Sequence, residues 1–135
     1  MESMESGKPL PRPTALSKPF WDGTRQGKLM LQRCSRCGAF RWTPQHLCIA
    51  CHAEEYEWHE TSGRGTLYSF TRVERPPLAA FEPGYVVAVV ELAEGPLMLT
   101  SLVDCDAATL RIGMPVEVAF EKASDEITLY KFKPA

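Results

Sequence analysis

Four cysteines spaced C-x2-C-x10-C-x2-C, at Cys34, Cys37, Cys48 and Cys51, constrain this chain more than any other feature. Each C-x-x-C turn presents two thiolates on one side of a tight backbone loop, and two such knuckles facing each other complete a tetrahedron. Gly38 follows the first pair directly and permits the positive φ that lets backbone N–H groups approach the sulfurs. Soft thiolates in four-fold coordination favour zinc, with rubredoxin-type iron as the substitute the same knuckles accept. The stretch from Lys28 to Glu60 is too short to bury a core of its own, so something else has to hold it. A structural zinc contributes on the order of 10 kcal/mol to such a module. Four thiolates leave no open position, so the ion reads as structural, not catalytic. Four unrelated buried cysteines, or a redox dithiol, are the competing readings; the redox reading needs only one of the two pairs. His46, His52 and His59 lie near enough in sequence to replace a ligand, yet four cysteines already satisfy the metal. Cys105 stands apart and reads as a small buried hydrophobe.

The remaining composition narrows the class. With 135 residues, the chain is one domain, or two small ones sharing a little core. A net charge of -2 argues against bulk attraction to nucleic acid or an anionic membrane, since both need a surplus of Lys and Arg. Met1 to Lys8 is polar with no apolar stretch that could serve as a secretory signal, and no run reaches the roughly 20 apolar residues of a membrane span. Paired C-x-x-C cysteines then read as a metal site before a disulfide framework, and the expected compartment is the cytoplasm.

Along the chain, Ser, Pro and Lys dominate up to Pro13, which predicts a loose arm. Ser17 predicts an N-cap and Pro19 the first turn of a helix that Gly27 ends. Lys28 to Arg33 predicts a strand into the first knuckle, and Tyr56 to Glu60 a strand out of the second. Ser62-Gly-Arg-Gly65 is a break. The texture beyond it is β: Thr66 to Glu74, Tyr85 to Leu92, Leu97 to Val103, Pro115 to Glu121 and Ile127 to Phe132. A helical turn at Asp106 to Leu110 is capped by Asp104 or Asp106. The near-continuous apolar run of Tyr85 to Leu92 predicts burial on both faces. Five strands with a helical segment between the third and fourth is the element order of an OB-fold, a barrel that leaves little free edge; a small β-sandwich is the competing architecture. The predicted layout is an arm and helix over 1–27, a zinc ribbon over 28–61 and an OB-fold over 62–135.

Catalytic signatures are missing. No Gly-rich phosphate loop, G-x-S-x-G elbow or defensible carboxylate pair occurs, and nothing assembles a nucleophile with a base. The chain reads as a binder or scaffold.

Several runs resemble one family: Pro19-Phe-Trp-Asp-Gly23, Lys28-Leu-Met-Leu-Gln-Arg-Cys-Ser-Arg-Cys-Gly38, Gly63-Arg-Gly-Thr-Leu-Tyr-Ser-Phe-Thr71, Tyr85-Val-Val-Ala-Val-Val-Glu-Leu92 and Arg111-Ile-Gly-Met-Pro-Val-Glu-Val118. In order and spacing they are similar to the DUF35 family of zinc-ribbon/OB-fold proteins, from about Ser17 to Pro134. One departure stands out: Ile49 and His52 occupy the places of Pro and Gly in the family's second knuckle. The resemblance implies a non-catalytic accessory subunit for acyl-CoA chemistry. Its partner would be a thiolase-like enzyme, either a thiolase or a retro-aldolase, or else a MaoC-like enoyl-CoA hydratase, with acyl-CoA at a shared site. Degradation of a steroid side chain or an aromatic acid is the implied setting. Candidate partner-docking residues are Phe20, Trp21 and Phe81, with Leu29 and Leu31 alongside. Simple packing of helix on barrel is the other reading for Phe20 and Trp21. Candidate CoA-phosphate contacts are Arg64, Arg72 and Arg75, whose alternative is a solvated strand face. Two other functions compete: a single-stranded nucleic-acid-binding OB-fold and a free-standing acyl-CoA-binding protein.

Overall fold

A computed structural model describes residues 9–135. The arm expected up to Pro13 lies outside the described residues as far as Lys8, and from Pro9 to Pro13 it carries no regular structure. Helix α1 spans Lys18–Arg25 and starts with Pro19 in its first turn, as the missing proline N–H dictates. Ser17 holds the N-cap position, but its hydroxyl makes no cap bond. It accepts instead from Thr14 N at 2.9 Å, while Ser17 N donates to Thr14 Oγ1 at 3.1 Å. The helix buries Phe20, Gly23 and Thr24. Gly23 is required by close approach, because a Cβ there would lie 2.4 Å from Met30 Cγ.

The ribbon is a three-stranded antiparallel sheet in the order β2-β1-β3, with β1 at Met30–Cys34, β2 at Phe40–Arg41 and β3 at Tyr56–Glu60. Strand β2 escaped the sequence reading, since two residues carry no periodicity. Beyond it lies a closed barrel of β4 (Arg64–Val73), β5 (Tyr85–Leu92), β6 (Leu97–Leu102), β7 (Pro115–Lys122) and β8 (Thr128–Pro134), in the order β4-β5-β6-β8-β7. A 3₁₀ turn at Ala107–Thr109, capped by Asp106 accepting from Ala108 N, sits between β6 and β7. This is the OB-fold, and closure through the β4–β7 pairing excludes the sandwich. Long β4 serves two sides of the barrel, and a register shift between Leu67 and Ser69 bends it. Strands β6 and β8 meet in parallel at one pair, Leu102↔Phe132, and leave a seam between them.

One apolar cluster joins the pieces. Phe20 of α1 and Leu29 and Leu31 of the ribbon side pack in the same cluster as Leu67, Val90, Met98 and Phe132 of the barrel. The helix and ribbon thus act as a stopper for one part of the barrel core. Strand β5 is not buried on both faces: Val86, Ala88 and Val90 turn inward, whereas Tyr85, Val87 and Val89 are half-buried and Glu91 is exposed. Valines occupy an outward row that leads to Leu99 on β6, which is 61% exposed.

Candidate metal centre and the seam groove

The two knuckles are near copies of each other in backbone terms. Cys34 N donates to Ala39 O and Cys48 N to Ala53 O, both at 2.9 Å. Gly38 N returns to Cys34 O at 2.9 Å and His52 N to Cys48 O at 2.7 Å. Both turns demand a left-handed residue after the second cysteine, and Gly38 (φ +79) and His52 (φ +64) supply it. His52 therefore holds the conformation that the family's glycine would adopt freely. A left-handed non-glycine costs roughly 1–2 kcal/mol, part of which a glycine returns as chain entropy. His52→Gly is expected to stabilise the protein by about 0.5–1 kcal/mol, raising the thermal midpoint by a few degrees in calorimetry. Gly38→Ala is expected to lower it.

The four sulfurs converge. Cys34 Sγ lies 3.6 Å from Cys51 Sγ and Cys37 Sγ lies 3.6 Å from Cys48 Sγ, with all four atoms within 4.8 Å of one another. Tetrahedral coordination at a metal–sulfur distance of about 2.3 Å requires sulfurs about 3.8 Å apart, so the donor set fits. Among the described residues, the four cysteines make up this convergent group, and His46, His52 and His59 are outside it. Backbone N–H groups of Cys37 and, less strongly, Arg36 hold the Cys34 thiol down at about 6 against the burial that raises it. The N–H groups of Cys51 and Ala50 lower Cys48 in the same way. Cys51 runs the other way. The Ala53 N–H lowers it, but burial and the thiols of Cys34, Cys37 and Cys48 together push it up to about 11. Four thiolates cannot share this space unaided, and a divalent cation is the group that lets them. Cys105 is half-buried instead of fully buried, and burial together with Asp106 and Asp104 raises its thiol, the opposite of what a nucleophile needs.

The proposed docking residues are placed unequally. Phe20 is 0% exposed, with its ring 4.6 Å from Trp42, 4.9 Å from Trp21 and 5.4 Å from Tyr130. Leu29 and Leu31 are buried as well. These three form the stopper and present nothing to a partner, which corrects the sequence reading of them as docking surface. The cause is the short helix, which folds its aromatic face onto the barrel instead of into solvent. Trp21 is half-buried and reaches the seam.

Two adjoining hollows, of about 730 and 450 Å³, run beside the seam and share Ser101, Leu129 and Lys131. The larger is lined by Phe81, Tyr85 and Glu121, with Phe81 and Tyr85 in ring contact at 5.6 Å. The smaller is lined by Trp21, Val87, Leu99 and Tyr130. Pro9 and Leu10 line the first and Pro11 the second. Tyr130 and Lys131 carried no signal in the sequence beyond strand membership.

The three arginines do not come together. Arg64 opens β4 and Arg72 stands eight residues on, roughly 25 Å away along an extended strand. Arg72 lies beside Gly84 and pairs with Glu74 at 3.4 Å, and Arg75 follows just beyond the end of β4.

A four-cysteine ribbon seated on a closed five-stranded barrel defines a zinc-ribbon/OB-fold protein. The family model of the rubredoxin-like zinc ribbon domain of ChsH2 matches residues 21–57, and that of its C-terminal OB-fold domain matches residues 58–121. The chain belongs to the DUF35 family. A DUF35 domain-containing scaffold protein of Methanocaldococcus jannaschii is 35% identical over 111 residues, 76% of this chain and 78% of that protein. A probable enoyl-CoA hydratase alpha subunit of Thermomonospora curvata is 39% identical over 127 residues, 93% of this chain. The 3-oxo-4,17-pregnadiene-20-carboxyl-CoA hydratase alpha subunit of Mycobacterium tuberculosis is 34% identical over 115 residues, 85% of this chain. This chain spans only 40% and 36% of those two longer proteins. Among solved structures, a chain of the Ltp2-ChsH2(DUF35) aldolase superposes with a TM-score of 0.84 at 35% identity, over 93% of this chain and 98% of that one. No helix among the described residues is long and apolar enough to cross a membrane.

Proposed function

We propose that this chain is a non-catalytic, zinc-holding subunit that docks on a thiolase-like enzyme, a thiolase or retro-aldolase, acting on acyl-CoA thioesters in the cytoplasm. The likeness to nearly the whole of a chain in a solved structure described as an aldolase carries this reading. The scaffold names of free-standing relatives support it, as do the hydratase alpha subunit names of longer ones, which make a MaoC-like hydratase the second partner class. The steroid thioester in the mycobacterial relative's name supports a steroid side chain as acyl group, with an aromatic acid as the other candidate. In this reading Cys34, Cys37, Cys48 and Cys51 bind one zinc ion, which supplies rigidity and no chemistry. The thiols' own part is to release their protons to solvent as the cation binds, and the N–H groups around Cys34 and Cys48 ease that step. The seam groove, with Trp21 and Phe81 on its walls, is the face turned toward the partner and its acyl-CoA. In this reading Arg72, beside Gly84, and Arg75, three residues on, are the candidate cations for CoA phosphates, and Arg64, at the other end of β4, is not.

Co-expression with the thiolase-like gene products encoded nearby tests the proposal. Co-elution as one complex is expected, with thioester cleavage or transfer seen only when both chains are present. Recovery of this chain free of any such enzyme overturns it. Calorimetry of the isolated chain against CoA is expected to show no heat, whereas tight binding without a partner marks a free-standing acyl-CoA-binding protein.

A further inference from the structure

Arg41 is 4% exposed, yet no carboxylate among the described residues pairs with it. Burying a guanidinium is costly unless its donors are satisfied and its charge is answered. Its hydrogen bonds serve another end. Arg41 Nε donates to Gln32 Oε1 at 2.8 Å and Arg41 Nη2 to Gln45 O at 3.0 Å. Gln45 N donates to the same Gln32 oxygen at 2.8 Å. Gln32 is itself 1% exposed and faces Arg41 across the β1–β2 pairing. The guanidinium lies over the Tyr56 ring, 4.8 Å from its centroid, and Tyr56 is the residue paired with Cys34 on β3.

The position of this cluster gives it a meaning. Gln32 stands two residues before Cys34, and Gln45 three residues before Cys48. The cluster therefore fastens the strand entering the first knuckle to the loop entering the second. Ten residues separate Cys37 from Cys48; the β1–β2 pairing holds the first part of that loop and this fastening holds the part entering Cys48, so less of the closure falls on the ion.

We propose that Gln32, Arg41 and the main chain of Gln45 form a latch that positions the two knuckles for the metal, with Arg41 as the positioning residue of the centre. The proposal rests on metal binding by the four cysteines, and the test separates the two. Release of zinc from the full chain to a chromogenic chelator is followed at a temperature where circular dichroism shows the barrel intact. Arg41→Met is expected to speed release on the order of 10-fold, the low end for losing a partner behind a metal ligand, because Arg41 acts through Gln32 and Gln45 and not on a sulfur. Arg41→Lys keeps the charge but loses the fork, and is expected to fall between. Gln45→Pro removes the N–H that reaches Gln32, together with the side chain that Gln45→Ala also removes, while fixing φ at 45 and restraining Pro44, and is expected to speed release as well. Gln45→Ala leaves the main chain untouched, because that side chain reaches only Thr43 Oγ1, and is expected to release zinc at the unaltered rate. If Arg41→Met does not fold, Gln45→Pro against Gln45→Ala decides alone, and equal rates in that pair overturn the latch. Absence of metal from the unaltered chain instead overturns the metal reading beneath it.

Discussion

Cys48→Ser is expected to leave the protein without metal and with its ribbon unfolded, the largest effect of any single side-chain change considered. Cys48 is buried within the sulfur cluster, and a serine oxygen offers a hard donor at a soft site. Roughly 10 kcal/mol of folding energy belongs to a structural zinc at neutral pH, against a total stability of about 5–15 kcal/mol for a domain. Elemental analysis is expected to fall from one ion per chain to none. Amide signals of Met30 to Glu60 are expected to lose dispersion in heteronuclear spectra. Prolonged treatment of the unaltered chain with a strong chelator is expected to give the same spectrum. A fully dispersed, metal-free spectrum from either sample contradicts the assignment.

Phe20→Ala is expected to cost about 3–5 kcal/mol, the range for truncating a fully buried aromatic. The ring sits among Trp21, Trp42 and Tyr130, so its removal opens a void that three rigid aromatic neighbours cannot close. In a chain of this size the thermal midpoint is expected to drop on the order of 10–20 °C. Fluorescence is the check, because Trp21 and Trp42 both flank the void and are expected to shift to the red as water reaches them. Zinc content is expected to stay at one ion in the folded protein, since Phe20 lies in the barrel cluster and not among the sulfurs. A midpoint within a degree or two of the unaltered chain contradicts the stopper.

Much of this architecture was legible because it rests on local signals. The two C-x-x-C pairs mark the knuckles, and the order of apolar runs with a helical turn before Pro115 favours the barrel, with the family resemblance adding what the pattern alone leaves open between barrel and sandwich. What the sequence hid depends on long-range placement. Phe20, Leu29 and Leu31 look alike whether they face a partner or a barrel, and only the fold of α1 onto the seam side decides. Arg64, Arg72 and Arg75 look like one basic group until β4 stretches between the first two. Arg41 reads as one more surface cation near the ribbon. Its burial follows from β2, a strand of two residues that no pattern announces. His52 departs from the family's glycine, yet its backbone does what that glycine would do, which only the dihedral shows. The apolar run of β5 predicts an interior strand, but the second face of β5, with its outward valines, borders the groove.

The family models divide the chain between residues 57 and 58, yet Leu29 and Leu31 lie in one cluster with Val116 and Phe132 far beyond that line. The ribbon is consequently no interchangeable cassette. A graft carrying another relative's knuckles would arrive with a plug cut for a different vessel, and melting of the chimera would betray the misfit even with every sulfur in place. A change of side-chain volume at Leu29 or Leu31 is expected to be felt across that line, in the packing of the barrel itself.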